Sequence, residues 1–157
     1  GKLQVVLTQP EPSPALSWLA SRCRYPFRLL PWCDHLEELI ELSWCVVTKP
    51  GALVATEALH HGKPLLFLGG MPHEAFNCQY FLQHGLALSA RPLNLFFDPL
   101  IHSLQDPVPV TGMGRLLEEL AQGMRENGWL HRNLERWNRN NAATAIVDSL
   151  LEAPPRK

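Results

Sequence analysis

Short apolar runs alternate with amphipathic stretches over residues 1–90. Four runs have the length and composition of buried strands, at 3–8, 27–30, 44–47 and 65–68. In the stretches between them, apolar residues recur every three or four positions, as on one face of a helix. The alternation predicts an α/β protein with a doubly wound, Rossmann-like parallel sheet flanked by helices. Ligands of such a sheet are expected outside the carboxyl ends of its strands.

Sequence signals at the helix ends support this alternation. Ser13 is a favourable N-cap, with Pro14 in the first helical position. Asp34, followed three residues later by Glu37, resembles a capping box and predicts a helix that starts directly after it. Gly62 is expected to end the helix predicted over residues 52–59.

Beyond residue 68 the helical pattern continues, is interrupted and then returns. Residues 74–84 are predicted to form a helix that Gly85 ends. Residues 91–110 contain four prolines and no sustained period, which predicts an irregular connection. Apolar residues at helical spacing then predict a helix over 116–124 and one or two further helices over 130–150.

Length and composition narrow the classes of protein. The 157 residues fit a single domain over 1–157 with one core, and a hydrophobic content of 46% excludes a disordered chain. The net charge of −1 gives no electrostatic reason to expect nucleic acid as a partner. No apolar run is long enough to span a bilayer, and the N-terminus lacks a signal pattern, so a cytoplasmic protein is expected.

Cysteine and histidine spacing gives no metal site. The four cysteines form no CxxC pair, which disfavours a zinc ribbon and a dense disulfide scaffold, so reduced and mostly buried thiols are expected. His73 and Glu74 begin like the HExxH zinc motif, but Asn77 stands where the second histidine is required. No bound metal is therefore predicted.

The loop at 48–51 is the strongest candidate for chemistry. Its sequence, Thr-Lys-Pro-Gly, joins a buried strand to a helix and so places unpaired helix amides at the carboxyl edge of the sheet. Such amides attract phosphate, Gly51 lets an anion approach the backbone, and Lys49 adds a positive charge. Glu57 lies further along the helix, where a carboxylate could accept both hydroxyl groups of a ribose. The alternative is that Gly51 is an ordinary turn residue and Glu57 an ordinary exposed residue.

The strand, the Thr-Lys-Pro-Gly loop, the helix with Glu57 and the next strand together occupy residues 45–68. This segment closely resembles the donor half of glycosyltransferase family 28. Residues 32–36, 74–85 and 141–146 resemble the loop and helices that flank it in that family. The family includes the enzymes that add N-acetylglucosamine to the peptidoglycan lipid precursor and the synthases that glycosylate diacylglycerol.

The resemblance implies the C-terminal half of a GT-B enzyme, which binds a UDP-sugar without a tightly held metal or other cofactor. An N-terminal half or partner subunit would hold a lipid or polyprenyl-linked acceptor at the cytoplasmic face of a membrane. Carried over by position, Trp32 and Cys33 face the uracil, 51–54 the diphosphate and Glu57 the ribose. The full nucleotide set is Trp32, Cys33, Thr48, Lys49, Gly51, Ala52, Leu53, Val54 and Glu57, and the residues near the donor sugar are Glu74, Asn77 and Gln79.

The chain departs from the family pattern in ways that leave the sugar and the acceptor open. The family often has Ser or Ala-Gly in place of Pro50, and a Gln in place of Ala75. A complete member is much longer, so the chain is expected to be an excised domain or one partner of a split enzyme. The base that activates the acceptor usually lies in the other half, so no catalytic residue is named and the isolated chain is expected to be inactive.

Two other functions remain compatible with these residues. A UDP-sugar hydrolase or epimerase uses a similar donor domain, with water or an internal base in place of the lipid acceptor. A non-catalytic interaction module could keep the same fold and have lost the site. Binding of UDP separates the module from both enzymes, and dependence on an acceptor separates the enzymes from each other.

Overall fold

The computed structural model describes residues 4–8, 11, 13–22, 25–90 and 112–139. The chain divides into two compact units, Gly1–Leu39 and Ile40–Lys157. Helices and parallel strands alternate along it, which confirms the predicted α/β class. The described strands form two sheets, one of two strands and one of three.

The first unit contains the two-stranded sheet. Strands β1 (Val5–Thr8) and β2 (Phe27–Leu30) are parallel neighbours, and helix α1 (Pro14–Arg22) connects them. The Ser13 hydroxyl accepts the Leu16 amide N–H at 3.3 Å, so Ser13 caps α1 as predicted. All described side chains of this unit are half-buried or exposed.

Helix α2 (Leu36–Leu42) corrects one detail of the sequence analysis. The Asp34 carboxylate accepts the Trp32 indole N–H at 2.9 Å, and the helix begins two residues after Asp34. The capping box predicted for Asp34 and Glu37 is therefore wrong.

The second unit is built around three parallel strands in the order β3-β4-β5. Helices α3 and α4 connect neighbouring strands, and a short 3-10 turn at Pro72–Glu74 precedes α4. Of the strands predicted to be buried, only β4 is fully buried, with a strand on each side of it. The residues of β1, β2 and β3 are half-buried or exposed, so the prediction of burial is wrong for those three strands. The bounds are β3 Val46–Thr48, α3 Ala52–His60, β4 Leu65–Phe67, α4 Ala75–Gln83 and β5 Ala87–Ser89.

Strand β5 was not predicted from the sequence. Its run of residues is short and includes a serine, and only the hydrogen bonds to β4 identify it as a strand. Gly62 and Gly85 follow α3 and α4 with φ of +65° and +60°, so both glycines end helices as predicted.

Two further helices complete the described part of the second unit. Helices α5 (Met113–Gly123) and α6 (Trp129–Arg139) pack on each other, and α6 also packs on α3. Leu120, Leu130 and Leu134 are buried there. The predictions for 91–110 and 141–146 fall outside the described residues.

The three described cysteines are free thiols, but the prediction that most cysteines are buried is wrong for these three. Cys78 is buried, whereas Cys33 and Cys45 are half-buried. Burial raises the pKa of Cys45 to about 12 and that of Cys78 to about 11, so both stay protonated at neutral pH. Cys23 lies outside the described residues. Within the described ranges, no helix has the length and apolar character required to cross a bilayer.

Candidate functional site

The candidate site begins at the carboxyl end of β3, where Thr48 is followed by Lys49, Pro50 and Gly51. Pro50 is fully buried and anchors the loop. Gly51 is the N-cap of α3, with extended backbone angles (φ −70°, ψ 135°), and no side chain caps the helix. The amide groups of residues 52–54 therefore have no acceptor within the helix and leave its positive end open.

The turn that follows β4 brings a carboxylate to this loop. Because β3 and β4 are parallel neighbours, the segments after them meet at the same edge of the sheet. Glu74 Oε1 lies 2.6 Å from the Lys49 ammonium nitrogen, and Glu74 Oε2 accepts the Met71 amide N–H at 2.8 Å. The Glu74 side chain is 5% exposed, whereas that of Lys49 is 60% exposed.

Glu74 is a buried carboxylate that remains ionised. Burial by itself raises its pKa, but hydrogen bonds from Lys49 and the Met71 amide, with the charges of Lys49 and His73, outweigh that cost. The net result is a pKa of Glu74 below its ordinary value of 4.5. At neutral pH the Lys49–Glu74 contact is therefore an ion pair.

One more contact ties the start of α4 to the same loop, and Glu74 itself lies close to the backbone of Gly51. The Asn77 side-chain amide donates to the Pro50 carbonyl at 3.2 Å, between residues that are 27 positions apart in the chain. A Cβ atom added to Gly51 would lie 3.3 Å from Glu74 Oε1, which is tighter than ordinary van der Waals contact. Gly51 thus lets an anion approach the backbone, and the anion in this structure is the Glu74 carboxylate.

Glu57 and Gln79 lie apart from this cluster. Glu57 is half-buried on α3, and its carboxylate has no hydrogen-bond or ion-pair partner among the described residues. Gln79 is exposed on α4, two residues after Asn77, which places it on the other side of that helix. Their predicted contacts with ribose and sugar stay predictions.

Trp32 and Cys33 belong to the first compact unit. Trp32 is highly exposed, and its indole N–H is held by Asp34. Cys33 is a half-buried free thiol. Their assignment to the uracil also stays a prediction.

The contact between Lys49 and Glu74 was missed at the level of sequence. Both residues were singled out, one for the diphosphate and the other for the sugar, but as separate sites. The available signal was their opposite charge. Lys49 and Glu74 stand in the segments that follow two consecutive predicted strands, and such segments meet when the strands are parallel neighbours.

Comparison with known proteins adds a class of relatives. The chain is 26% identical over 94 residues to the processive diacylglycerol beta-glucosyltransferase of Bacillus pumilus, which covers 59% of the chain and 24% of that protein. The enzymes of the same name from Bacillus subtilis and Staphylococcus carnosus are 24% and 28% identical over 107 and 93 residues. Those matches cover 68% and 59% of this chain, and 28% and 24% of the relatives. The named relatives are diacylglycerol glucosyltransferases.

The similarity is partial in two respects. The chain spans about a quarter of the length of these curated relatives. No protein-family model matches the chain. The chain is thus weakly similar to glycosyltransferases that are named for a lipid acceptor. Synthases that glycosylate diacylglycerol are one group within the family that the chain resembles in its sequence.

In the ranges that the structure covers, no group of three or more His, Cys, Asp or Glu side chains could hold a metal ion. Glu74, the acidic residue of the incomplete HExxH pattern, is bound to Lys49 and to a backbone amide. The Glu74 carboxylate is thus already engaged by two protein donors.

Proposed function

We propose that this chain is the donor-binding part of a GT-B glycosyltransferase of family 28, which transfers a sugar from a UDP-sugar to a lipid acceptor. The observation that carries the proposal is the loop at 48–51, whose lysine and open helix end follow the parallel strand β3. The similarity to proteins named for glucosyl transfer to diacylglycerol supports the reaction class and the kind of acceptor.

In this function the loop binds the diphosphate. The amide groups of residues 52–54 and the ammonium group of Lys49 pair with the phosphate oxygens. Negative charge develops on UDP as the bond to the sugar breaks, and donors already aimed at the diphosphate stabilise that charge. Glu57 accepts the ribose hydroxyls, and no metal is required for these contacts.

The acceptor is held by another domain or by a partner subunit, at the cytoplasmic face of a membrane. The chain by itself transfers no sugar, because holding donor and acceptor together supplies much of the rate advantage of a two-substrate enzyme. A turnover assay of residues 1–157 with UDP-sugar and diacylglycerol measures this. Lipid glycosylation by the chain alone would contradict it.

Titration calorimetry with UDP is the direct test of the proposal. Binding by the folded chain, together with a higher melting temperature in UDP, is expected. Neither heat nor a thermal shift at millimolar UDP would contradict the proposal and favour an interaction module. With the longer protein, release of free sugar independent of acceptor would instead favour a hydrolase.

Glu57→Gln tests the ribose contact. Loss of the charge-assisted hydrogen bonds is expected to weaken the binding of UDP and of uridine alike, by roughly 1–3 kcal/mol. Lys49→Ala is expected to weaken the binding of UDP much more than the binding of uridine, because the proposed partner of the Lys49 ammonium group is the diphosphate. Glu118→Gln, an exposed acid on α5, is the matched control and should change neither affinity. Unchanged UDP affinity in folded Glu57→Gln protein would remove the ribose assignment.

A further inference from the structure

Lys49 is a flexible side chain with one fixed contact. Most of its surface is exposed, and a free lysine in such a place samples many rotamers. Its ammonium nitrogen is nevertheless held 2.6 Å from Glu74 Oε1. An ammonium group has three N–H donors, so one can serve Glu74 while two remain for a ligand.

Glu74, by contrast, has little freedom. Its side chain is almost fully buried, and its second oxygen accepts the Met71 amide N–H at 2.8 Å. The turn that carries Glu74 is continuous with α4, and α4 is tied to the loop through the bond from Asn77 to the Pro50 carbonyl. The carboxylate is therefore a fixed point against which the lysine is oriented.

We propose that Glu74 is a positioning residue, which holds the Lys49 ammonium group beside Gly51 and the open end of α3, ready for the diphosphate of the donor. This inference rests on the proposed function. It gives Glu74 a role that does not depend on contact with the sugar. The role is to fix the lysine before the ligand arrives, so that binding does not have to order a free side chain.

Simple electrostatics gives the opposite expectation, which makes the proposal testable. Glu74 carries a negative charge within reach of a site for an anion, so its removal should strengthen UDP binding if charge alone mattered. If Glu74 acts by positioning Lys49, its removal weakens UDP binding, because the ligand must then order the lysine itself.

The experiment is a double-mutant cycle on the full chain, with UDP and uridine as probes. Glu74→Gln, Lys49→Ala and the double variant are compared with the parent by calorimetry. Glu74→Gln is expected to weaken UDP binding about two- to tenfold, the usual effect of ordering one long side chain. In the Lys49→Ala background the same change should have no effect on UDP, and in either background it should leave uridine binding unchanged.

Controls separate positioning from a general structural defect. Glu118→Gln is the matched substitution of an exposed acid on α5 and should bind UDP like the parent. Glu74→Asp keeps the charge but withdraws the carboxylate from Lys49. It should therefore weaken the binding of UDP as Glu74→Gln does. Circular dichroism and melting temperature show which variants are folded, and only those enter the cycle.

The outcomes distinguish this inference from the proposed function. If the parent binds no UDP, the proposed function fails and the inference fails with it. If the parent binds UDP but Glu74→Gln binds equally or more tightly, only the positioning role is overturned. Equal weakening with and without Lys49 would also overturn it, because Glu74 would then act through another group.

Discussion

The two compact units differ in how completely their sheets are covered. In the first unit, β1 and β2 form a two-stranded sheet, and Val6 is 43% exposed. In the second, the middle strand β4 has strands on both sides, and all three of its residues are 0% exposed. A two-stranded sheet has two unpaired edges, whereas a central strand has none.

The candidate site lies in the unit whose sheet has a fully buried central strand. The Lys49–Glu74 pair lies at the end of β3 and in the turn after β4, within the unit that holds all the buried apolar side chains of the described residues. A binding site needs side chains whose positions are locked by packing around them. The second unit supplies that support for the loop at 48–51.

The largest expected effect is a loss of stability when a buried side chain of the second unit is shortened. Leu66→Ala removes a fully buried side chain from β4 and is expected to lower the free energy of unfolding by about 2–5 kcal/mol. Leu7→Ala in β1 is the matched control, and it should cost clearly less because Leu7 is only half-buried. Urea unfolding followed by circular dichroism measures both. Equal losses would show that the first sheet is as important to stability as the second.

A smaller loss of stability is expected from replacing Gly85, which follows α4 and contacts α6. Gly62 and Gly85 both have positive φ, so alanine at either strains the backbone by roughly 1–2 kcal/mol. At Gly85 the new Cβ would also clash with Asn133, whose side chain donates to the Gly85 carbonyl at 3.1 Å, whereas at Gly62 it meets nothing within 4 Å. Gly85→Ala should therefore lower the melting temperature more than Gly62→Ala. Equal decreases in melting temperature in the two variants would mean that only backbone strain, and not the clash with Asn133, lowers stability.

The smallest expected effect is the response of the second unit to acid. Because the folded state lowers the pKa of Glu74, ionised Glu74 stabilises the fold fully above the ordinary value of 4.5. That contribution is lost as the pH falls through the lower, folded-state pKa. Lys49 is largely exposed, so water screens the pair and the effect is small.

The acid response is measured as the free energy of unfolding from pH 7 to pH 3. Glu74→Gln is expected to flatten this dependence, because it removes the carboxyl whose pKa the folded state lowers. An unchanged pH dependence in Glu74→Gln would contradict the ion pair.

Local signals predicted most of the elements. Ser13 caps α1, β2 has the predicted bounds, and Gly62 and Gly85 end their helices, because each of these features depends on neighbouring residues. The cap predicted at Asp34 is wrong because α2 begins at Leu36, two residues after Asp34. Strand β5 was missed because its identity lies in its hydrogen bonds to β4, and its own composition gives little sign of it.

The sequence by itself determined the order of strands and helices from β1 to α4, and it placed the Thr-Lys-Pro-Gly loop between a strand and a helix. Those features follow from periodicity and from turn residues, which act within a few positions. Only the tertiary structure decided that Glu74 lies against Lys49 and that Asn77 holds the Pro50 carbonyl. These contacts require β3 and β4 to be adjacent and parallel, and that pairing depends on residues far apart in the chain.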